Sequence, residues 1–300
     1  MCYSAQVWAD YEKYVRHYGA NIDIRTFHDL YVRKRQGDKL KTPKAMDVAF
    51  KAGEIAGLVR EIHGSEVAGL EQELFKQKKR LADAERTLQT KITKKAENDQ
   101  RIAGNKVEQI KERLANLKRT DDQPRDSRIY PGMYAPVMVW EDGGRVIKPM
   151  RYQCRPAGKP EFYDRKFPGT YNARRDSLEG FWKPLFSHSH AVLIADRFYE
   201  NVETTEGNAV VEFAPRSGEP MLIACLWSRW SAGNDELLSF AAITDDPEPE
   251  VAAAGHDRTI INIKPEHVDA WLNPKAGELE ALYAIFDDKQ HPYYEHRKAA

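Results

Sequence analysis

The sequence predicts an α+β protein: an antiparallel, barrel-like sheet with flanking helices and a long helical hairpin or coiled coil. Three observations carry this. Short apolar runs separated by turn clusters crowd the chain from Ile129 onward. Amphipathic helical spacing marks the stretch before Lys51, and a long charge-dense segment with heptad-like spacing lies between the two.

Taken in order, Val7, Tyr11, Tyr14, Val15 and Tyr18 recur at three- and four-residue steps, and Phe27, Leu30 and Tyr31 do so again after Asp23, which predicts two short helices between Ala5 and Lys51. From Ile55 to Arg119 proline and aromatic residues nearly vanish. Apolar positions there fall at Val67, Leu70, Leu74, Leu81, Ala84 and Leu88, then at Val107, Ile110, Leu114 and Leu117. Gln77 and Lys91 weaken the seam, and Gly104-Asn105 breaks the pattern where a hairpin would turn. The run from Lys76 to Arg119 is basic, which suits either a solvated helix face or a phosphate-binding arm. DDQPRDS then reads as a linker. Beyond it YAPVMVW, RVIKPMRYQ, HAVLIADRFYE, NAVVEF, PMLIACLW, LLSFAAIT and RTIINI read as strands, with EDGGR and PRSGEP as turns.

With 300 residues, 41% of them hydrophobic, the chain suffices for one large domain, or one with an appendage. Lysine plus arginine equal aspartate plus glutamate at 46 each, so any basic surface must be local. Cys2, Cys154 and Cys225 form no CxxC pair, which argues against a disulfide framework and a zinc site and for a reducing, cytoplasmic location, at the nucleoid if the source is bacterial. No apolar stretch approaches the ~20 residues of a membrane helix, and the N-terminus, with Asp10, Glu12 and Lys13 close behind, lacks the apolar core of a signal peptide. Scattered histidines give no metal-ligand spacing, and no Gly-rich phosphate loop is present, so neither metal nor cofactor is expected.

Four places carry polar residues that structure alone does not require. Cys2 stands directly behind the initiator methionine, so removal of Met1 would leave an α-amine and a thiol on adjacent carbons. Asn172 follows a Pro-Gly turn and precedes Arg174 and Arg175; an asparagine there also serves as a plain turn former. Glu200 closes the run LIADRFYE beside Phe198 and Tyr199, where burial would raise its pKa toward proton-transfer use, although a carboxylate at a strand end is commonly solvated. His256 and Arg258 follow the small-residue segment AAAG, and a lone histidine also fits a structural role.

The order of these motifs resembles the SOS response-associated peptidase (SRAP) family, the abasic-site processing proteins. The residues that carry the likeness are MC at the start, YAP ending at Pro136, NAR at 172–174 before an acidic residue, ADRFYE, and HDR at 256–258 ahead of an apolar strand and a later Trp-Leu. It covers the first few residues and then about Tyr130 to Pro274. On this resemblance residues 1–22 hold the N-terminal cysteine and first helix of the SRAP domain, and residues 23–119 form a helical insertion, coiled-coil-like at 66–119. Residues 120–128 are a linker, 129–274 the main domain and 275–300 a C-terminal tail.

The resemblance implies that Cys2, once Met1 is removed, crosslinks to the ring-opened sugar of an abasic site in single-stranded DNA as a thiazolidine, with Asn172, Glu200 and His256 as the other catalytic residues. Arg174 and Arg258 would grip phosphates, Pro136 would touch the DNA, and Tyr152 or Arg155 would stack against bases. The family's peptidase label would refer to self-processing. Partners implied are abasic single-stranded DNA, no membrane, and self-association or a protein partner through the insertion. The chain departs from the family at Tyr3-Ser4, where glycine and arginine are usual, and at RYQCRP, where Trp-Gly-Leu-Ile-Pro is common. Two other functions fit the residues: a thiol peptidase acting in trans, with Cys2 as nucleophile and His256 as base, and a non-catalytic module binding DNA or a partner through its helical insertion.

Overall fold

A computed structural model describes residues 3–233 except 205 and 206, and residues 235–299. In chain order the elements begin with β1 (Ser4–Val7), α1 (Tyr11–Tyr18), β2 (Asn21–Ile22), α2 (Ile24–Arg35) and α3 (Lys44–Val48). The long helices α4 (Gly53–Thr90) and α5 (Lys94–Lys118) follow, then β3 (Arg128–Ile129), β4 (Tyr134–Glu141), β5 (Gly144–Tyr152), α6 (Tyr163–Lys166) and β6 (Asn172–Arg174). The remaining strands are β7 (His190–Thr204), β8 (Gly207–Pro215), β9 (Met221–Ala232) and β10 (Asp235–Asp245). The chain closes with α7 (Pro249–Ala253), β11 (Thr259–Ile260), α8 (Val268–Leu272), α9 (Leu279–Asp287) and β12 (Tyr294–Lys298).

Strands β5, β4, β7, β9 and β10 close into a barrel, each pairing antiparallel to the next except at the seam, where β10 runs parallel to β5 with Ser239 opposite Arg151. Strand residues alternate between two cores. Ala135, Val137 and Val139 of β4 join Ala191, Leu193, Ile223 and Phe240 in one core. Met138, Val192, Ile194, Leu222 and Ala241 face the other way, against Tyr14, Phe27 and Tyr31 of the helices. Because both faces are covered, the strands read as nearly continuous apolar runs rather than as alternation. The EDGG turn joins β4 to β5 with Asp142 at φ 52° and Gly143 at φ 78°, the left-handed pair that a two-residue hairpin requires.

Two expectations are corrected. The periodic stretch from Ala5 begins as strand, not helix: β1 pairs with β7 on one side and with β3 on the other, so strand pairing overrides local periodicity. The helical hairpin turns at Lys91–Thr93 rather than at Gly104-Asn105, which lie inside α5. A mid-helix glycine costs only ~1 kcal/mol, whereas Thr93 supplies a real start signal, its hydroxyl accepting from the Ala96 amide at 3.2 Å. The seam uses the heptad residues, with Ala84, Val107, Ile110 and Leu114 buried. Gln77 is buried too, donating to Glu73 at 2.7 Å.

Phe27, Leu30 and Tyr31 of α2 share a core with Tyr134 and Ile147, so residues 24–35 pack as part of the main body. The 120–128 stretch also folds back, with a 3-10 turn at Pro124–Ser127 and an ion pair between Arg119 and Asp126, both side chains little exposed. The C-terminal segment packs on the domain: Leu282, Ile285 and Phe286 are buried, and β12 pairs with β8.

A polar knot joins α2, α3 and α4 at the root of the hairpin. Asp47, 6% exposed, accepts from Tyr31 Oη at 2.9 Å and Thr42 Oγ1 at 2.6 Å, and lies 3.3 Å from Lys34 Nζ and 3.4 Å from His63 Nε2. Burial alone would raise its pKa; the His63 hydrogen bond, the Lys34 charge and the two hydroxyls outweigh this and hold it below the ordinary value. The knot's contribution is therefore complete above the unfolded carboxylate pKa of about 4 and is lost as pH falls through the lower folded value. Asp47→Ala should cost about 3 kcal/mol near neutrality, read by denaturant unfolding, and much less at acid pH.

Candidate active site

The second half of β7 carries Phe198, Glu200 and Val202 on one face. Phe198 and Val202 belong to the barrel-side core, so the Glu200 carboxyl between them is 1% exposed. Desolvation pushes its pKa up to about 8, against the backbone amide of Tyr3, which favours the charged form. Its partner is His256, whose Nε2 lies 3.4 Å from Glu200 Oε2. On the other side of that ring, Nδ1 is 2.9 Å from the Arg258 carbonyl, and a carbonyl can only accept, so Nδ1 carries the proton and leaves Nε2 unprotonated. The Arg258 amide, 3.4 Å from the same Nδ1, is the weaker contact. Desolvation lowers the His256 pKa, so at neutral pH a protonated carboxyl faces a neutral imidazole at 3.4 Å.

Gly255 sets the imidazole in place. Its φ is +92°, and a Cβ there would stand 3.0 Å from Val202 Cγ1, so only glycine fits without strain. Gly255→Ala should destabilise the fold by about 1–3 kcal/mol and displace His256. The checks are the unfolding midpoint together with any activity assigned to the pair.

β1 brings the start of the chain to this pair. Ser4 stands opposite Tyr199, and the Tyr3 amide donates to the Tyr199 carbonyl at 3.1 Å. Cys2 itself lies outside the described residues. Arg128 of β3 donates from Nε to Ser4 Oγ at 3.0 Å and lies over the Tyr199 ring at 3.6 Å and the Tyr130 ring at 5.1 Å. Tyr3 meets Tyr130 edge-on at 5.7 Å, and each is 36% exposed. Arg128, Tyr130, Tyr3 and Tyr199 were not singled out from the sequence. The one available signal was RIY just ahead of YAP, a cation and an aromatic on alternate positions of a strand start.

Asn172 is buried on β6, opposite Ala242 of β10, with its Oδ1 3.5 Å from Tyr152 Oη. Two residues on, Arg174 lines an open cleft of about 480 Å³ with Thr244, Asp257 and Arg258. Arg174 leans on Asp176 at 2.6 Å and Arg258 on Asp257 at 3.6 Å, both carboxylates well exposed. Such surface pairs are weak, so either guanidinium can exchange its partner for a phosphate. Arg175 differs: Asp245 and Asp287 hold it, and it lies near the Tyr283 and Phe286 rings.

Three residues expected at a DNA surface lie elsewhere. Tyr152, 1% exposed, stacks on Phe240 at 5.2 Å and orients Asn172. Arg155, 6% exposed, is paired with Asp164 and lies over Trp230 at 4.3 Å. Pro136 is buried opposite Pro149 on the neighbouring strand. The strand residues Pro136 and Tyr152 are enclosed because both faces of the barrel wall are packed. Arg155 is enclosed by the loop carrying Asp164 and by Trp230. Among the described residues no group of three or more His, Cys, Asp or Glu could hold a metal ion, and no helix is long and apolar enough to cross a membrane.

A solved structure from Bacteroides thetaiotaomicron is similar to this chain with a TM-score of 0.50 at 14% identity, covering 58% of this chain and 78% of its own, which bears on the fold alone. One from Bordetella bronchiseptica has a TM-score of 0.49 at 17% identity, covering 63% and 95%. No curated protein sequence matches. Residues 92–298, more than half the chain and including Asn172, Glu200 and His256, match the family described as SOS response associated peptidase (SRAP). The chain belongs to that family.

Proposed function

We propose that this protein captures abasic sites in single-stranded DNA by a thiazolidine crosslink to Cys2, exposed by release of Met1, and that this release is the self-processing behind the family's peptidase description. The observation that supports it is the register of β1 on β7, which starts the described chain at Tyr3, on the buried Glu200–His256 pair.

An abasic sugar must first open. His256 Nε2 can take the proton of the C1′ hydroxyl while the Glu200 carboxyl protonates the ring oxygen, giving an aldehyde. An α-amine ordinarily titrates at about 8, which leaves a neutral fraction at pH 7 for Cys2 to add to C1′. A proton from the acid pair expels the hydroxyl as water, leaving an imine, and the thiolate adds to the imine carbon. Aldehyde, amine and thiol thus become thiazolidine plus one water, with no change of oxidation state. Asn172 holds the sugar or the terminal amine, Arg174 and Arg258 take phosphates on one side of the lesion, and Arg128 with Tyr3 and Tyr130 offers a cation and stacking faces on the other.

The test is chemical capping. Single-stranded DNA whose abasic aldehyde has been converted to its methoxyamine oxime should give no heat-stable adduct, while the uncapped strand does. An adduct of equal yield on capped DNA would contradict the aldehyde chemistry.

A further inference from the structure

Charge along the α4–α5 hairpin is divided. At its root, cations are matched by acids: Arg113 with Glu66, Lys118 with Glu71, and Arg35 of α2 with Glu61. Toward the tip this matching fails. Between residues 76 and 101 nine lysines and arginines stand against four acids, a surplus of five positive charges in a chain whose total is zero. Arg80 pairs with Asp99 and Arg86 with Asp83, but Lys78, Lys79, Lys91, Lys94 and Lys95 have no carboxylate within 4.0 Å among the described residues. Lys79 of α4 and Lys95 of α5 line the same shallow depression of about 460 Å³, so the two helices present charge to one side. Phe75, one turn before Lys78 and Lys79, is 74% exposed.

The arm has reach. His63 of α4 still contacts Asp47 of the main body, and from there to Thr90 the helix runs roughly 40 Å at ~1.5 Å per residue. Its other end returns through the Arg119–Asp126 pair to Arg128, beside the start of the chain. Lysines with no carboxylate partner among the described residues, on a two-helix arm with an aromatic ring beside them, suit an evenly spaced polyanion met at a distance from the barrel.

We propose that the tip of the α4–α5 hairpin is a second nucleic-acid contact, binding the phosphate backbone without sequence preference and remote from the Glu200–His256 site. This inference rests on charge and reach, not on the crosslinking chemistry. Fluorescence anisotropy of the full-length protein on undamaged DNA tests it, using strands of about 12 and about 40 nucleotides over a series of salt concentrations. The wild type should bind the longer strand more tightly. Replacing Lys78, Lys79, Lys91, Lys94 and Lys95 together by Gln should remove that gain, with about a tenfold loss near 0.1 M salt and a log–log salt slope shallower by about 3–4. Binding of the short strand, and adduct yield on a short abasic strand at saturation, should not change.

Equal affinity and slope for variant and wild type on the longer strand would overturn the proposal. So would an equal loss on both strand lengths, or a loss confined to anionic phospholipid vesicles. Circular dichroism of the variant should match the wild type, since the substituted residues are exposed. Should no strand give an adduct with any form of the protein, the crosslinking reading fails while the anisotropy result stands.

Discussion

Replacing Glu200 by glutamine is expected to slow adduct formation with abasic single-stranded DNA about a hundredfold at neutral pH, because the amide keeps the shape and a donor but cannot give up or take a proton. With its pKa raised to about 8, the Glu200 carboxyl is protonated at neutral pH and ionises as pH climbs past that value. Single-turnover rates of the wild type should therefore decline above about pH 8. The Glu200→Gln rates should lack that decline. Stability gives an independent reading. A carboxyl with a raised folded pKa contributes fully below its unfolded value and loses that contribution as pH rises toward the folded value, here about 8. The wild type should weaken between mildly acid and mildly alkaline pH relative to the glutamine variant, and the gap should then level off.

The second large effect belongs to Cys2. Cys2→Ser, with Met1 still released, should abolish the heat-stable adduct, since a hydroxyl cannot match the thiol in closing on the imine carbon. Imine chemistry should persist, so reduction with borohydride should trap a bond to DNA that heat otherwise destroys. The other two thiols cannot stand in. Cys154 and Cys225 are both buried, and burial pushes the Cys154 thiol up to about 12.

Glu200 and His256 were singled out because ADRFYE and GHDR resemble motifs of the family, neither being decisive by its local pattern, and the fold places the two side chains 3.4 Å apart. The longer strands were readable as apolar runs between turn residues, but not their order in the sheet. What escaped reading was decided by packing. Tyr152 and Arg155 look like surface stacking residues in RYQCRP, but the seam between β5 and β10 encloses Tyr152, and Asp164 with Trp230 encloses Arg155. Arg128 lies in a two-residue strand with no local periodicity, and its place beside Ser4 exists only because β1 and β3 meet at a sheet edge. Ala5 and Val7 fit a helical spacing equally well until β7 recruits them.

The most direct test of the central claim is intact mass spectrometry of the purified protein before and after incubation with single-stranded DNA carrying one abasic site. The account predicts a protein lacking Met1, then a heat-stable species equal to that protein plus the oligonucleotide minus one water. A protein shown to lack Met1 that yields no such species would contradict it.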